Sequence, residues 1–198
     1  MVAYDSTFPE FGSSLAGMDE VGRGPLVGNV VTACVILPSQ PVLEWVDDSK
    51  KLSPARRNEV YEAILDCALY VGIGEATPEE IDTLNILGAT RLAMTRAAEK
   101  APATLCIVDA VKGLELPFPT LPLIKGDATS YHVAAASIVA KVTRDRQMEK
   151  LAETYPQYGF ERNMGYGTAE HISALKKYGP TPFHRSTFIR HFIGGEKA

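Results

Sequence analysis

Two adjacent acidic residues, Asp19 and Glu20, stand where an apolar stretch of the sequence meets a glycine-rich one. The small and apolar residues 15–18 are typical of a buried strand, and residues 22–25, Gly-Arg-Gly-Pro, are typical of a turn. Side chains alternate between the faces of a strand, so both carboxylates reach one site only if the backbone turns directly after them. The pattern predicts acids where a strand enters a loop, although an ordinary polar turn would look similar.

Two further acids favour a chemical role for this pair. Asp109 ends the apolar run 104–108, and Asp127 follows a Lys-Gly pair. Strands that each stop at an acid indicate a carboxylate cluster for metal ions, and hard cations such as Mg²⁺ or Mn²⁺ prefer oxygen ligands. The sequence has no His- and Cys-rich motif for zinc. Two ions about 3.5–4 Å apart can support phosphodiester hydrolysis. Asp127 could instead be an acid that simply precedes a helix.

The composition bounds the class of protein. With 198 residues, 45% hydrophobic and 22% charged, residues 1–198 are expected to form one globular domain. Cys34, Cys67 and Cys106 are odd in number and lie in apolar stretches, which indicates reduced core residues. The N-terminus does not look like a secretory signal, and no apolar run reaches the about 20 residues of a membrane span. We therefore expect a cytoplasmic protein with no membrane partner.

The formal net charge of −4 does not by itself favour a nucleic-acid partner, but local charge matters more, since metal-loaded acids no longer repel phosphate. The predicted helix after Asp127 has a polar face whose members recur at steps of three and four residues. They are Ser130, Ala134, Ser137, Lys141 and Arg144. Hydroxyls and cations on one face suit a phosphodiester backbone. The same face could also be merely solvent-exposed.

The elements that position these residues follow from turn and cap signals. Strands are predicted over 15–19, 27–37, 69–75, 104–109 and 121–125. Helices are predicted from a Ser-Pro cap over 54–67, from a Thr-Pro cap at 77–78, and over 86–100, 127–144 and 168–178. The pattern indicates an α/β protein with a packed C-terminal segment.

Taken together, these motifs resemble ribonuclease HII, the type 2 ribonuclease H family, over nearly the whole chain. The matching blocks are residues 17–25, 48–52, 108–109, 125–127, 136–145, 165–168 and 183–186. Their order and spacing are those of the family. The related ribonuclease HIII fits less well, because it has an N-terminal extension and a different Gly-x-Gly turn.

The resemblance implies a ribonuclease H-like fold, with a mixed five-stranded sheet flanked by helices and a C-terminal helical segment. It implies that Asp19, Glu20, Asp109 and Asp127 are the catalytic, metal-binding acids, with Mg²⁺ or Mn²⁺ as cofactor. The implied reaction is hydrolysis 5′ to a ribonucleotide, leaving a 3′-hydroxyl and a 5′-phosphate. Implied substrates are RNA–DNA hybrids and single ribonucleotides embedded in DNA, as in ribonucleotide excision repair.

Eight residues are candidates for substrate contacts. They are Gly22, Arg23, Gly24, Lys50, Ser137, Lys141, Arg144 and Tyr166. The glycines allow close backbone approach to a 2′-hydroxyl, which N–H and C=O groups can read whatever the base. The Tyr166 ring could pack against the next sugar, where a second 2′-hydroxyl would crowd it, or it could be only a surface aromatic.

Two other classes of function stay open from the residues alone. One is a carboxylate nuclease or integrase of the same fold that cuts DNA lacking ribose, and the other is a hybrid-binding module without catalysis. We expect a monomer, and residues 194–198 show no clamp-binding peptide. The four histidines are as readily structural as catalytic. They are His132, His171, His184 and His191.

Overall fold

A mixed five-stranded sheet, with strand order β3-β2-β1-β4-β5, runs through the molecule. The structure is a computed structural model that describes residues 1–46, 51–109, 111 and 113–194. The strands are β1 (Leu15–Val21), β2 (Val30–Ile36), β3 (Tyr70–Ala76), β4 (Leu105–Asp109) and β5 (Thr120–Leu123). β1, β2 and β3 pair antiparallel, whereas β4 runs parallel to β1 and β5 parallel to β4. The predicted α/β fold with a mixed five-stranded sheet is confirmed.

The central strand β1 carries the first two acids. Met18 pairs with Val108 of the parallel strand β4, so Asp19 and Asp109 follow one step later at the same end of the sheet. The prediction that β1 ends at its acids is wrong by one residue, because the strand continues to Val21. Glu20 and Val21 still pair with β2, and the chain turns only at Gly22, where φ is +92°.

Eight helices flank the sheet in the described parts of the chain. They are α1 (Val2–Asp5), α2 (Pro54–Cys67), α3 (Pro78–Ala98), α4 (Gly126–Thr129), α5 (Tyr131–Thr154), α6 (Phe160–Asn163), α7 (Ala169–Tyr178) and α8 (Ser186–Ile189). The predicted helix starts are confirmed, because the Ser53 side chain accepts from the Arg56 N–H, and Thr77 and Glu80 form a capping box. The last two helices form the predicted C-terminal helical segment.

The two helices expected on either side of Asn85 are confirmed, because Asn85 interrupts α3 with a φ of 58° and its side chain accepts from the N–H groups of Leu87 and Gly88. One helix boundary differs from the prediction. The helix expected to start at Asp127 breaks instead at Ser130. There the backbone is extended, and the Ser130 hydroxyl caps α5 by accepting from the Val133 N–H. Asp127 therefore lies on its own short helix.

Helix α5 packs closely against the central strand. A Cβ atom on Gly17 of β1 would lie 2.1 Å from the carbonyl carbon of His132, so only glycine permits this approach. Alanines 134, 135, 136 and 140 of α5 are fully buried here, together with apolar residues of α2. Helix α3 covers the other face of the sheet. The acid-bearing strand is thus held between two apolar layers.

The N-terminal helix α1 is fixed by a buried carboxylate that the sequence did not reveal. Asp5 Oδ2 accepts from the Ser130 hydroxyl at 3.1 Å and from the His132 backbone N–H at 3.0 Å. It also lies 2.7 Å from His132 Nδ1. His132 is therefore structural. Among the described residues, no helix has the length and apolar character needed to cross a membrane.

Candidate active site

A pocket of about 400 Å³ lies at the end of β1 and β4 and brings together residues from four parts of the chain. It is lined by Asp19, Glu20, Val21, Asp109, Ser137, Lys141 and Tyr166. Three of the four predicted acids therefore border one cavity with three of the predicted substrate contacts. Parallel pairing of β1 and β4 delivers the acids, and the close packing of α5 on β1 delivers Ser137 and Lys141.

Asp19 is the most perturbed acid of the cluster. Its side chain is 9% exposed, and burial raises its pKa well above the usual value. The negative charges of Glu20, Asp109 and, more weakly, Asp127 raise this pKa further, whereas a hydrogen bond from the Glu20 N–H opposes them. This electrostatic coupling places all four predicted acids in one cluster, although Asp127 does not line the pocket.

Glu20 is held by a partner on the following turn. Burial raises its pKa, and the Arg23 guanidinium opposes this rise by donating to Glu20 Oε1 at 3.1 Å. The other oxygen, Oε2, is buried and has no hydrogen-bond partner within the described ranges. A buried carboxylate oxygen without a donor is costly, so this atom is suited to an incoming cation or water.

Asp109 and Asp127 are connected through the start of α4. Asp109 Oδ1 accepts from the Gly126 N–H at 2.8 Å, which ties the end of β4 to the residue before Asp127. Asp127 is 7% exposed and lies in the first turn of α4. Its position suits both a metal ligand and an acid at a helix start, so the sequence prediction for this residue remains open.

The donor chemistry of the cluster fits a hard divalent cation. Four mutually repelling carboxylates supply only oxygen ligands, and a cation would relieve both their repulsion and the unpaired Glu20 Oε2. In the described parts of the chain, no group of three or more His, Cys, Asp or Glu side chains could hold a metal ion as now arranged.

The loop after β1, residues 22–29, is shaped by a buried arginine that the sequence analysis did not single out. Arg185 is fully buried and donates to the carbonyl oxygens of Gly22 at 2.6 Å, Arg23 at 3.1 Å and Gly28 at 2.8 Å. Burial, reinforced by the charge of Arg144, lowers the pKa of Arg185 to about 9. The carbonyl groups of Gly22 and Arg23 therefore already have a hydrogen-bond donor within the protein.

Arg144 does not occupy the predicted position on a phosphate-binding face. Its side chain is 1% exposed and donates to the carbonyl oxygens of Val27, Asn29 and Met164. The predicted phosphate contact of Arg144 is therefore wrong, because these carbonyls hold its side chain in the interior although it lies only three residues from Lys141. A Cβ on Gly22 would lie 2.3 Å from Arg144 Nε, so glycine is required beside it.

Ser137 and Lys141 do face the acids. The Ser137 hydroxyl is buried and makes no hydrogen bond within the described ranges, and Lys141 Nζ pairs with Asp145 at 2.6 Å. Both groups could turn to a phosphate. Ser130 is excluded from this face because it caps α5. The predicted contact Lys50 and the final residues 195–198 lie outside the described residues.

Tyr166 stands beside the glycine-rich loop. The residue is 47% exposed and lines the acid pocket, and a Cβ on Gly24 would lie 3.4 Å from its Cε1 atom. The Leu26 N–H donates to the Gly165 carbonyl at 2.8 Å. The two glycine-bearing loops, residues 22–29 and 163–168, are therefore in direct contact at the rim of the pocket.

Comparisons with known proteins agree with this geometry. The family model described as Ribonuclease HII matches residues 16–191. Ribonuclease HII of Lactobacillus helveticus is 52% identical over 188 residues, which are 94% of this chain and 75% of that protein.

Solved structures show the same fold. The ribonuclease H2 from Pyrococcus horikoshii superposes with a TM-score of 0.76 at 27% identity, covering 90% of this chain and 96% of that one. The Bst-RNase HIII structure in complex with Mn²⁺ superposes with a TM-score of 0.66 at 18% identity, covering 89% and 65% of the two chains. On the extent of the family match and the identity to its members, the chain belongs to the ribonuclease HII family and is a ribonuclease H enzyme.

Proposed function

We propose that this ribonuclease hydrolyses the phosphodiester on the 5′ side of a ribonucleotide and leaves a 3′-hydroxyl and a 5′-phosphate. Its substrates would be RNA–DNA hybrids and single ribonucleotides embedded in duplex DNA. The observation that carries the proposal is the shared pocket, in which Asp19, Glu20 and Asp109 lie beside the Tyr166 loop. Catalytic acids and a group able to read a sugar thus border the same cavity.

The acids would hold two divalent ions, Mg²⁺ or Mn²⁺. Asp19 and Asp109 are the best candidates for shared ligands because they lie at the same end of neighbouring parallel strands, with Glu20 and Asp127 completing the set. When bound, such ions supply a nucleophilic water and compensate the charge of the phosphate and of the leaving oxygen. The buried position of Asp19 excludes bulk water, which strengthens each electrostatic interaction in the pocket.

The chain's own side chains would orient the duplex. Ser137 and Lys141 border the acids from α5, and a hydroxyl and an ammonium group are typical donors to phosphate oxygens. Arg23 is 47% exposed in its side chain and bonded to Glu20. It can therefore offer its remaining N–H groups to a phosphate while keeping Glu20 in place.

Recognition of a ribonucleotide would depend on the two loops in contact. The 2′-hydroxyl both donates and accepts hydrogen bonds, and the loop at Gly22–Gly24 approaches without side-chain bulk. The Tyr166 ring, next to Gly24, would pack on the following sugar. A deoxyribose fits there, whereas a 2′-hydroxyl would crowd the ring, so the pair of loops would sense the RNA-to-DNA junction.

The cellular setting follows from the same chemistry. Removal of ribonucleotides from DNA requires access to the genome, and Cys34 and Cys106 are buried free thiols, which fits a reducing compartment. We therefore propose a cytoplasmic enzyme of ribonucleotide excision repair that acts as a monomer.

A cleavage assay tests the function directly. Duplex DNA with one embedded ribonucleotide, the same duplex without it, and a continuous RNA–DNA hybrid are incubated with and without Mg²⁺ or Mn²⁺. We expect metal-dependent cleavage of both ribose-containing substrates on the 5′ side of the ribonucleotide. Cleavage of the all-DNA duplex would indicate a general carboxylate nuclease, and binding without cleavage would indicate a hybrid-binding module.

A further inference from the structure

Two buried histidines outside the acid cluster form a direct pair behind the Tyr166 loop. His171 of α7 is fully buried and His184 is 5% exposed. Their Nε2 atoms lie 3.0 Å apart, and the four predicted catalytic acids are not among the hydrogen-bond partners found for either ring in the described structure. The pair therefore needs an explanation of its own.

The backbone fixes which nitrogen of each ring carries its proton. The Thr181 N–H donates to His184 Nδ1 at 2.9 Å, so Nδ1 is unprotonated and Nε2 carries the hydrogen of a neutral ring. His184 Nε2–H must then donate to Nε2 of His171. This leaves the hydrogen of His171 on Nδ1, from which it is donated to the Tyr166 carbonyl oxygen at 2.8 Å. The hydrogen bonds run in one direction, from Thr181 to Tyr166.

The surroundings keep both rings neutral. Burial lowers the pKa of His171, and burial together with the charge of His171 lowers the pKa of His184 to about 4. The ring centroids of Tyr158 and Phe160 lie 5.3–6.2 Å from those of the two imidazoles. An apolar, aromatic environment does not replace the hydration that a cation loses on burial. The stable form therefore has two neutral rings, with the proton of His171 on Nδ1 and that of His184 on Nε2.

The last hydrogen bond of this series, from His171 to the Tyr166 carbonyl, sets the backbone of the loop that borders the active site. Other contacts hold the neighbouring residues: the Tyr166 N–H donates to the Asn163 carbonyl at 2.9 Å, and the Gly165 carbonyl accepts from Leu26. The Tyr166 carbonyl accepts from the Thr168 N–H at 2.8 Å and from His171. Of these two donors to the Tyr166 carbonyl, His171 is the one that donates from a side chain, and it orients the peptide plane that follows Tyr166.

We propose that His171 and His184 are positioning residues that hold the Tyr166 ring at the rim of the pocket and thereby set the preference for an embedded ribonucleotide over a continuous hybrid. The inference rests on the role of Tyr166 in the proposed function. Neither histidine touches substrate. Their effect reaches the substrate through the Tyr166 carbonyl and the loop around it.

Two conservative variants of His171 separate positioning from general stability. Asparagine carries its amide where the imidazole has Nδ1, so His171→Asn can still donate to the Tyr166 carbonyl but loses His184. Glutamine carries its amide near the position of Nε2, so His171→Gln can still accept from His184 but loses Tyr166. Both replace the same buried ring, and thermal unfolding measures whatever stability each one loses.

The experiment compares kcat/KM on DNA with one ribonucleotide and on a continuous RNA–DNA hybrid. For His171→Gln we expect the ratio of the two values to fall by about fivefold, which is the change in rate that corresponds to the free energy of one hydrogen bond. His171→Asn should keep the ratio near that of the unmodified protein. Adding His171→Gln to Tyr166→Ala should lower the ratio no further, because the ring to be positioned is gone.

Other outcomes are equally informative. If both substrates lose activity in parallel with the loss of thermal stability, the histidines are merely structural and the proposal is overturned. If Tyr166→Ala alone leaves the ratio unchanged, the junction-sensing role of Tyr166 fails, whatever His171 does. Nitrogen NMR of histidine-labelled protein at pH 7 tests the order of these hydrogen bonds independently of activity. It should show His171 protonated on Nδ1 and His184 on Nε2, and the opposite tautomers would overturn the positioning.

Discussion

Arg144 Nη1 donates a hydrogen bond of 2.9 Å to the carbonyl oxygen of Met164. The same guanidinium donates to the carbonyls of Val27 and Asn29, so one buried side chain joins the loop that follows Asp19 and Glu20 to the loop that carries Tyr166. Burying a cation is costly unless its donors are satisfied, and here backbone carbonyls satisfy them. The relative position of the two glycine-bearing loops is thus fixed from inside the protein.

Replacing Arg144 should therefore destabilise the fold rather than weaken phosphate binding. For Arg144→Met we expect the free energy of unfolding to fall by about 3 kcal/mol, because three interior carbonyl groups lose their donors. Urea unfolding followed by circular dichroism measures this. Arg146→Met is the matched control, since Arg146 is half-exposed and paired with Glu62 on the surface, and it should change stability by less than about 1 kcal/mol. Equal, small losses would contradict the interior role of Arg144.

Local signals in the sequence predicted much of the fold. The Ser-Pro and Thr-Pro caps located two helix starts because capping depends on residues within one turn. The apolar runs located the strands that deliver Asp19 and Asp109. The meeting of Asp19, Glu20 and Asp109 at one pocket was therefore predictable from acids placed at the ends of apolar runs.

Long-range contacts were not predictable in the same way. Helical periodicity put Arg144 on the face of Lys141, but the carbonyls that draw it inward come from loops 20 to 117 residues away. The buried Asp5–His132 pair joins the N-terminus to α5 across 127 residues. Local sequence patterns do not show whether a charged residue has a partner so far away in the chain. The burial of these residues is therefore seen only in the folded protein.

Metal binding should stabilise the folded protein through the acid cluster. A ligand that binds only the folded state raises its stability by mass action, so millimolar Mg²⁺ or Mn²⁺ should raise the melting temperature. Asp109→Asn should lose this rise and lose cleavage, because a neutral amide is a poor ligand for a hard cation. Asp19→Asn should show the same losses. Both variants should bind duplex with an affinity within a few-fold of that of the unmodified protein.

Calorimetry, gel shift and cleavage assays measure these three effects. Asp66→Asn serves as the control, since Asp66 is an exposed residue of α2 and should leave all of them unchanged. Normal turnover by Asp109→Asn in Mg²⁺ would remove Asp109 from the site.

Asp127 is expected to contribute to catalysis, and the alternative is that it only stabilises the start of α4. If Asp127 is a metal ligand, Asp127→Asn lowers kcat by more than about tenfold, the loss typical of a group that acts on the transition state. If it only favours the start of α4, activity stays within that range and stability falls slightly. Single-turnover cleavage in Mg²⁺ and thermal unfolding of the same variant distinguish the two roles.

Lys141 should contribute one phosphate contact. Lys141→Ala should weaken binding of all duplexes alike and reduce the slope of log K against log salt by about 0.9. Its ion pair with Asp145 must open on binding, so the loss of affinity reflects an exchange of partners. Lys176→Ala on α7 is the control, because this exposed lysine lies away from the pocket residues. An unchanged slope for Lys141→Ala would show that the Lys141 side chain makes no contact with a phosphate.

The histidine pair should make the protein less stable as the pH falls. The folded state lowers the pKa of His184 from 6.5 to about 4, so between these values the unfolded chain binds more protons and is favoured by acid. The contribution is complete above pH 6.5 and lost towards pH 4, for a total of about 3 kcal/mol.

His184→Gln should show a smaller decrease in the free energy of unfolding over this pH range than the unmodified protein, whereas His191→Gln at an exposed position should not differ from it. The groups around the imidazole are His171, Thr181 and the rings of Tyr158 and Phe160, and only His171 among them can become a cation. An NMR titration of His184 close to pH 6.5 would contradict the neutral, buried pair, because a ring that ionises so readily must already have water or an anion beside it.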